Sequence, residues 1–317
     1  MKIVTLTLNP ALDKSTSTER LVPEQKLRCG NLQIDPGGGG INVSKGIKKL
    51  GGNSTAVFPA GGQNGERLQA LLRDRQIEMS VQEVADETRE NISVTENASN
   101  IQYRFTLVGP DLSVADADAC LQRISDLKPE YLVVSGSLPN GLPTDYYQKV
   151  AVFSKKIGAR LILDTSGAAM QAAVGEGVFL LKPNLGELSA LVGETQLEIN
   201  QVDDAALEII GKNICEVVVV SMGAQGALLV TKDGFEHIPA PMVLKKSTVG
   251  AGDSMVAGMV WALSEKKSYR EMAQLGVACG SAATMNLGTQ LFKAEDAWRL
   301  FEWLKAYGDR YKITDFS

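Results

Sequence analysis

The stretch "YLVVSG" at residues 131–136 decides the fold class, because it is a short apolar run that ends in a glycine. Three similar runs follow, namely "RLILD" at 160–164, "VFLLK" at 178–182 and "EVVVVS" at 216–221. Nearly continuous apolar strands of this kind are typical of parallel sheets with helices on both faces. Amphipathic segments alternate with the runs, and helices are predicted to begin near Thr144, Ser166, Asn184, Asp203, Ala251 and Ser268. The pattern predicts an α/β fold with a doubly wound, mostly parallel sheet.

The first third of the chain has a different pattern. The run "KIVTLTL" at 2–8 has the composition of a core strand, whereas regions 14–35 and 88–108 alternate polar and apolar residues. Such alternation is typical of antiparallel strands with one face in water. We therefore expect one domain over residues 1–317, with a small antiparallel β lid built from 14–35 and 88–108 that covers a cleft.

The second of these regions has one polar and one apolar face. If "ENASN" at 96–100 makes the turn of a hairpin, Arg89 and Arg104 lie on the same face, because strand side chains alternate with period two. The other face is apolar and carries Ile92, Val94, Tyr103, Phe105 and Leu107. A thin sheet cannot bury such a face alone, so we expect a homodimer formed through the lids.

Composition and charge argue against several classes of function. The formal net charge is −5 with both signs interleaved, so the basic stripe that nucleic acid requires is missing. No apolar run is long enough to cross a membrane and no charged leader precedes the first strand, so we expect a cytoplasmic protein. The single histidine, His237, is predicted to be exposed, which disfavours a Ser-His-Asp triad or a His-rich zinc site. The four cysteines are widely separated and are predicted to be buried: Cys29, Cys120, Cys215 and Cys279.

The stretch "STVGAGDSM" at 247–255 is predicted to be an anion site. Apolar residues recur at helical spacing from Met255 to Leu263, which places a helix start at Gly250–Gly252. Free backbone N–H groups and the helix dipole attract an anion there, and glycine allows its close approach. Asp253 then has two interpretations. It is either a first-turn carboxylate that stabilises the helix by about 0.3–1 kcal/mol, or a general base in phosphoryl transfer.

Two common nucleotide-binding motifs do not fit the chain. A dinucleotide-binding G-x-G-x-x-G would need a glycine where Met255 stands, and this stretch comes late in the chain. The P-loop motif G-x-x-x-x-G-K-[ST] is absent, because "GKN" at 211–213 lacks the final hydroxyl.

A second glycine cluster, "DPGGGGINVSKGIKKLGG" at 35–52, also precedes a predicted helix, whose apolar face carries Val43, Ile47 and Leu50. Four consecutive glycines are costly in backbone entropy. One explanation is a flexible turn. The other is a ligand that lies directly on the backbone, with the Asn42 amide reaching a sugar hydroxyl.

Together the two glycine clusters resemble the two signature regions of the ribokinase-like (PfkB) carbohydrate kinases. "STVGAGDSMVAG" fits one signature throughout, and the other is matched by Gly37, Gly38, Gly40, Asn42, Ser44, Gly51 and Gly61. The resemblance extends over essentially the whole chain, including "TLTLNPALD" at 5–13, "VSGSLP" at 134–139, "KPNLGE" at 182–187 and "VVVVSMGAQGAL" at 217–228.

The resemblance implies an ATP-dependent enzyme that phosphorylates a sugar hydroxyl. Asp253 would be the base, and the anion hole would be formed by Gly250, Ala251 and Gly252. Asn184 and Glu187 would help to place the Mg²⁺ carried by the nucleotide, Glu187 through water, although spacing alone makes Glu187 an ordinary first-turn acid. The nucleotide would be bound by Lys182, Asn184, Ser221, Gly223, Gly226 and Ser247.

The resemblance also implies a sugar site. The sugar hydroxyls would contact Asp13, Gly38, Gly39 and Asn42, and Ser137 would contact a substrate phosphate. The first third of the chain supplies the cations for that phosphate, Lys26, Arg89 and Arg104, with Arg28 as a further candidate. For each cation the alternative is an ordinary solvated charge.

Within the family the similarity is greatest to kinases of ketohexose phosphates. Members that act on fructose 1-phosphate tend to carry a lysine where this chain has Gly39, which favours fructose 6-phosphate as substrate and fructose 1,6-bisphosphate as product. The resemblance therefore implies a 6-phosphofructokinase activity, with that of a 1-phosphofructokinase or a tagatose-6-phosphate kinase as the alternatives.

Several members of the family also bind a monovalent cation beside the anion hole. The matching positions here are Ser247, Val249, Ala283, Asn286 and Gly288. Gln290 departs from the basic residue expected in similar members. The resemblance therefore implies a K⁺ site, with this departure against it.

Two rival functions come from other classes. A non-catalytic sugar-phosphate sensor with the same fold is disfavoured because base, anion hole and metal element are all present. A dinucleotide-dependent oxidoreductase is disfavoured by the missing third glycine. Release of ADP and binding of a nicotinamide cofactor separate these alternatives.

Overall fold

The computed structural model describes residues 1–286 and 290–310, with side chains up to Tyr307. The strands, numbered along the chain, are β1 Ile3–Leu6, β2 Ala11–Thr18, β3 Gln33–Gly37, β4 Thr55–Ala60, β5 Glu78–Glu83, β6 Arg89–Glu96, β7 Ile101–Thr106, β8 Tyr131–Ser135, β9 Arg160–Asp164, β10 Val178–Leu181, β11 Cys215–Ser221, β12 Ala227–Thr231 and β13 Gly234–Ile238. The α-helices are α1 Gly39–Lys49, α2 Gly62–Asp74, α3 Val114–Leu127, α4 Tyr146–Lys156, α5 Gly167–Val174, α6 Leu185–Leu191, α7 Val202–Gly211, α8 Ala251–Ser264, α9 Tyr269–Thr284 and α10 Ala294–Arg310.

The large sheet confirms the predicted α/β class. Within the described residues it has nine strands in the order β13-β12-β11-β10-β9-β8-β1-β4-β5. The strands from β5 to β11 in this order are all parallel, and β12 and β13 add an antiparallel edge. Every residue of β1, β4, β8 and β10 is buried, as expected for strands covered on both faces.

Helices cover both faces of this sheet, and the side chains of a strand divide between them. In β8, Val133 belongs to the core cluster under α1, α8, α9 and α10, whereas Leu132 and Val134 belong to the cluster under α3, α4, α5 and α7. This division follows from the period of two along a strand. The two glycine-rich helices, α1 and α8, pack against each other on the same face.

The small sheet, in the order β3-β2-β6-β7, partly corrects the sequence prediction. β2 and β3 pair antiparallel, and so do β6 and β7, but β2 and β6 are parallel, so a wholly antiparallel lid is wrong. The reason is that β2 follows β1 and β6 follows β5 along the chain. Because β1 and β5 are parallel, both end at the same edge of the large sheet, and β2 and β6 start from that edge in the same direction. Strand β2, the first of the small sheet along the chain, also begins at Ala11 rather than near Lys14 as predicted.

The predicted hairpin is confirmed. The turn falls between β6 and β7 at "ENASN", and Ser93 lies opposite Arg104. Arg89 and Ser93 point to the same face of β6, so Arg89 and Arg104 share a face of the small sheet.

Other sequence predictions meet mixed outcomes. Cys120, Cys215 and Cys279 are buried as predicted, but the prediction is wrong for Cys29, which is exposed in the segment between β2 and β3. His237 is exposed in the edge strand β13, as predicted. Among the described residues, no helix has the length and apolar character needed to cross a membrane.

Candidate active site

The candidate site lies where the connections of the large sheet reverse direction. β4 lies on one side of β1 and β8 lies on the other, so the carboxyl ends of β1 and β8 open onto a crevice. Ligands of doubly wound proteins bind in such crevices. Thr7 follows β1 and Ser135 ends β8, and the glycine cluster at the start of α1 packs directly on both.

Packing against neighbouring protein atoms explains why these consecutive positions are glycines. A Cβ at Gly37 would lie 2.1 Å from Asp13 Oδ2, one at Gly39 would lie 2.3 Å from Ser135 Oγ, and one at Gly40 would lie 2.6 Å from Thr7 Oγ1. Gly38 has φ of 112°, a conformation that favours glycine. The cluster is thus an ordered strand-to-helix junction that fits tightly against neighbouring protein atoms, rather than a flexible turn.

Asp253 lies in the first turn of α8, after the left-handed Gly250. Its Oδ2 accepts a hydrogen bond of 2.8 Å from Nδ2 of Asn42, which joins the two glycine motifs. Burial, reinforced by Asp164, raises the pKa of Asp253 from 3.8 to about 6, although the bond from Asn42 and the charge of Lys182 oppose the shift. A carboxylate with such a pKa is suited to take a proton near neutral pH.

A buried ion pair borders the same helix terminus. Lys182 Nζ lies 3.1 Å from Asp164 Oδ1 at the ends of β10 and β9, and 3.8 Å from the position that a Cβ on Gly252 would occupy. Burial disfavours the charged lysine, but the nearby Asp164 carboxylate outweighs it and raises the Lys182 pKa. Asp164 was not among the predicted site residues, and its signal is its position as the last residue of "RLILD", at the carboxyl edge of the sheet.

The predicted nucleotide residues lie on neighbouring loops. Asn184 and Ser221 form a bridge between the ends of β10 and β11, and the Ser221 amide donates to Pro183 O. Gly223 has φ of 59°, and a Cβ there would meet open space, whereas a Cβ on Gly226 would collide with the Ile238 carbonyl. Packing therefore explains why residue 226 is a glycine, whereas Gly223 borders open space.

Asn184 and Glu187 form a capping box at the start of α6. The backbone N–H of Asn184 donates to Glu187 Oε2 at 2.8 Å, and the backbone N–H of Glu187 donates to Asn184 Oδ1 at 2.9 Å. This is the ordinary first-turn arrangement that the spacing allowed. Burial nevertheless raises the pKa of Glu187, and Lys182 and Asp164 lie close enough to affect it electrostatically.

The predicted sugar carboxylate is held in place by the small sheet. Asn91 Nδ2 donates to Asp13 Oδ1 at 2.9 Å, across the parallel pair β2 and β6. Burial raises the pKa of Asp13, and the bond from Asn91 opposes the shift. Asn91 was not predicted as a site residue, because its partner depends on the parallel register.

Arg89 lies where the small sheet meets the crevice. Its guanidinium donates to the carbonyl oxygens of Asn9 at 3.1 Å and Leu107 at 3.3 Å, and Asn9 Nδ2 donates to Ser137 Oγ at 3.2 Å. Its Nε is buried without a partner among the described residues. The structure thus brings Arg89 and Ser137 together around Asn9, a residue that was not predicted.

The other predicted cations lie farther out. Arg104 is exposed on β7, opposite Ser93 and along the same face from Arg89. Lys26 and Arg28 lie in the segment between β2 and β3, Lys26 exposed at its middle and Arg28 nearer to β3. All three of these residues are exposed to solvent.

The candidate monovalent-cation residues meet at the end of α9. The Ser247 amide donates to Thr284 O, Ser247 Oγ accepts from the Val249 amide at 3.2 Å, and the Asn286 amide donates to Ala283 O at 3.1 Å. Gly288 lies outside the described residues. Hydroxyl and carbonyl oxygens of this kind are suitable ligands for an alkali cation.

The family follows from comparison with known proteins. The model of the pfkB family of carbohydrate kinases matches residues 7–296, which include both glycine motifs and the crevice between them. The chain is a PfkB-family carbohydrate kinase.

Individual relatives of this PfkB kinase have related names. It is 43% identical over 306 residues to ATP-dependent 6-phosphofructokinase isozyme 2 of Escherichia coli, covering 96% of this chain and 99% of the relative. It is 44% identical over 303 residues to the protein of the same name from Mycobacterium tuberculosis, covering 95% of this chain and 89% of the relative. Identity to 1-phosphofructokinase of Bacillus subtilis is 34% over 294 residues, covering 92% and 95%.

Solved structures agree with the fold of the PfkB kinase. Phosphofructokinase-2 of E. coli in complex with potassium superposes with a TM-score of 0.92 at 43% identity, covering 96% of this chain and 99% of that one. The complex of the same enzyme with fructose-6-phosphate gives a TM-score of 0.90 at 42% identity with the same coverage. Its tetrameric inhibited form gives 0.91 at 42% identity, again with that coverage.

Proposed function

We propose that this PfkB kinase transfers the γ-phosphoryl group of ATP to the 1-hydroxyl of fructose 6-phosphate, yielding fructose 1,6-bisphosphate and ADP. The observation that carries the proposal is the position of Asp253, whose carboxylate has a pKa of about 6 at the start of α8 and is held by Asn42. The greater identity to the relatives named 6-phosphofructokinase than to the one named 1-phosphofructokinase supports this substrate.

In the proposed reaction, an oxygen of Asp253 accepts the hydroxyl proton while the sugar oxygen bonds to the γ-phosphorus. The bond from that phosphorus to the β,γ-bridging oxygen breaks, and ADP leaves. The amides of Gly250, Ala251 and Gly252 at the helix terminus stabilise the charge on the transferred group, and Lys182 adds a positive charge beside them.

Mg²⁺ bound to the nucleotide would neutralise charge on the phosphates. Among the described residues there is no cluster of three or more His, Cys, Asp or Glu side chains that could hold a metal ion. The acidic groups near the phosphate loops, Glu187 and Asp164, suit a hydrated ion that arrives with ATP and is contacted through water.

The sugar phosphate is proposed to lie between Asp13 and Arg89. Asp13 and Asn42 bind hydroxyl groups, and Arg89 with Ser137 binds the phosphate from the crevice side. Gly38 and Gly39 line the sugar site, and Lys26 from the β2–β3 segment and Arg104 from β7 supply further positive charge for the phosphate.

Side-by-side kinetics test the substrate. We expect kcat/KM for fructose 6-phosphate to exceed that for fructose 1-phosphate and tagatose 6-phosphate by about 10-fold or more, since buried polar groups discriminate strongly against a substrate that leaves them unpaired. The rates are measured by coupled release of ADP. If kcat/KM were higher for fructose 1-phosphate or tagatose 6-phosphate, the chain would instead be a kinase of that sugar phosphate. If none of the three sugars led to release of ADP, a non-catalytic sugar-phosphate sensor would be favoured.

A K⁺ site at Ser247, Val249, Ala283, Asn286 and Gly288 belongs to the same proposal. Support comes from the oxygens gathered at the end of α9 and from the E. coli relative solved with potassium. We expect kcat to rise several-fold when K⁺ replaces tetramethylammonium at equal ionic strength. Equal values of kcat in the two salts would contradict the proposed K⁺ site.

The small sheet is proposed to act as a lid within a single kinase domain and to form a homodimer. On its outer face, Ile101 (51%), Phe105 (51%) and Leu107 (45%) are each about half exposed, and a group of exposed apolar side chains is typical of an interaction surface. We expect a dimer by light scattering at micromolar concentration, and Phe105→Glu should produce monomers. A wild-type monomer would contradict this assembly.

The cytoplasmic location stays a prediction.

A further inference from the structure

A buried lysine beside the proposed base has no role in the reaction described so far. Lys45 lies on α1, one turn after Asn42, and only 7% of its surface is exposed. Its Nζ donates to two oxygens, Oδ1 of Asn42 at 3.0 Å and the carbonyl of Pro36 in β3 at 2.8 Å.

The first of these bonds determines how Asn42 meets the base. Because Asn42 Oδ1 accepts from Lys45, Nδ2 of the same amide faces Asp253 Oδ2. A reversed amide would set its oxygen against the carboxylate and its N–H groups against the ammonium. Lys45 therefore selects the amide orientation that donates to Asp253, and the second carboxylate oxygen is left to take the proton.

The second bond connects the base to the small sheet. Pro36 precedes Gly37, whose missing side chain accommodates the Asp13 carboxylate, so Lys45 links the sugar side of the crevice to Asp253. Burial lowers the pKa of Lys45 to about 8, and the charges of Asp35, Asp13 and Asp253 limit the shift. A buried lysine is costly unless it is paired, and these carboxylates compensate its charge.

We propose that Lys45 is a positioning residue for phosphoryl transfer, which orients the Asn42 amide and thereby holds Asp253 in one rotamer relative to the small sheet. The proposal rests on the proposed kinase function. It assigns Lys45 no contact with substrate or nucleotide.

The test compares Lys45→Met with Lys45→Arg and with a matched control on the same helix, Lys48→Met, whose side chain bonds Asn53 away from the site. We expect Lys45→Met to lower kcat about 10- to 100-fold with KM for ATP unchanged, the range for a misplaced catalytic group. Arginine keeps the positive charge, so Lys45→Arg should retain more activity than Lys45→Met. Lys48→Met should match the wild type.

A double-mutant cycle with Asn42→Ala separates positioning from a general structural role. If Lys45 acts through Asn42, Lys45→Met should cost less than about 3-fold in the Asn42→Ala background, because coupled residues are non-additive. Additive losses, or a Lys45→Met enzyme that equals the wild type, would overturn the proposal. If Lys45→Met does not fold, Lys45→Gln, which lacks the charge and the reach, gives the same comparison.

The pH profile supplies a readout that loss of stability alone would not move. Asp253 is faced by Asp164 from β9, by Lys182 after β10, and by Asn42 and Lys45 from α1. Removing the Lys45 charge should move the acid limb of kcat/KM to higher pH, since its charge favours the ionised base. An unmoved limb would count against the proposal, whereas a wild-type protein without kinase activity would instead refute the proposed function.

Discussion

Replacing Asp253 by asparagine should lower kcat about 1,000-fold while ATP binding stays close to that of the wild type, the loss expected when a general base is removed. Asparagine has the same shape and its side-chain oxygen can still accept from Asn42, so the helix terminus should keep its geometry. The amides of Gly250–Gly252 and the Lys182 charge are retained, so the nucleotide should still bind. The measurement is steady-state ADP release together with ATP titration by calorimetry.

Stability provides the internal control for this variant. Because the Asp253 pKa is raised from 3.8 to about 6 on folding, the folded protein binds more protons than the unfolded chain between these values, so stability falls as pH rises through them. Asparagine removes that loss, and the unfolding temperature at pH 8 should equal or exceed that of the wild type. The control Asp233→Asn, in the exposed β12–β13 turn, should change neither kcat nor the unfolding temperature. Near-normal turnover of Asp253→Asn would show that Asp253 is not the base.

Replacing Arg89 by alanine should lower kcat/KM for fructose 6-phosphate about 100- to 1,000-fold, the effect of losing a partly buried charged partner of a phosphate. The loss should be much smaller for unphosphorylated fructose, which makes no phosphate contact. KM for ATP should change little, because Arg89 lies beside Asn9 and Leu107 on the small-sheet side of the crevice. Initial rates with the two sugars at several ATP concentrations measure all three quantities.

Two further variants make the Arg89 result interpretable. Arg89→Met keeps the aliphatic part of the side chain, so agreement with Arg89→Ala would attribute the loss to charge rather than to a packing defect. Arg67→Ala removes an exposed arginine of α2 and should leave the kinetics unchanged. Equal losses with fructose and fructose 6-phosphate would contradict a phosphate contact for Arg89.

Several features were predictable from the sequence because they depend on local patterns. Apolar runs with helical segments between them predicted the strands from β8 to β11, and the carboxyl edge of a parallel sheet is a general site for ligands. "STVGAGDSM" predicted a helix start with Asp253 in its first turn, which the structure confirms. The alternation in 88–108 predicted a hairpin with Arg89 and Arg104 on one face.

Other features could not be predicted because they depend on which segments meet. The four glycines left a flexible turn and a ligand on the backbone open, and only the tertiary structure shows that Gly37 packs on Asp13 and Gly39 on Ser135. Asn91 reaches Asp13 only because β2 and β6 are parallel. No periodicity within either strand contains that information.

The sequence by itself determined the fold class, the positions of the helix starts and the types of chemical group available, since periodicity and glycine placement act over one element at a time. Only the tertiary structure decided which of these groups meet. Asn42 and Asp253 are 211 positions apart and share a hydrogen bond of 2.8 Å because α1 and α8 pack on one face of the sheet. That packing buries Lys45 and raises the pKa of Asp253, because a low-dielectric surrounding penalises a charge that would be unperturbed on an isolated helix.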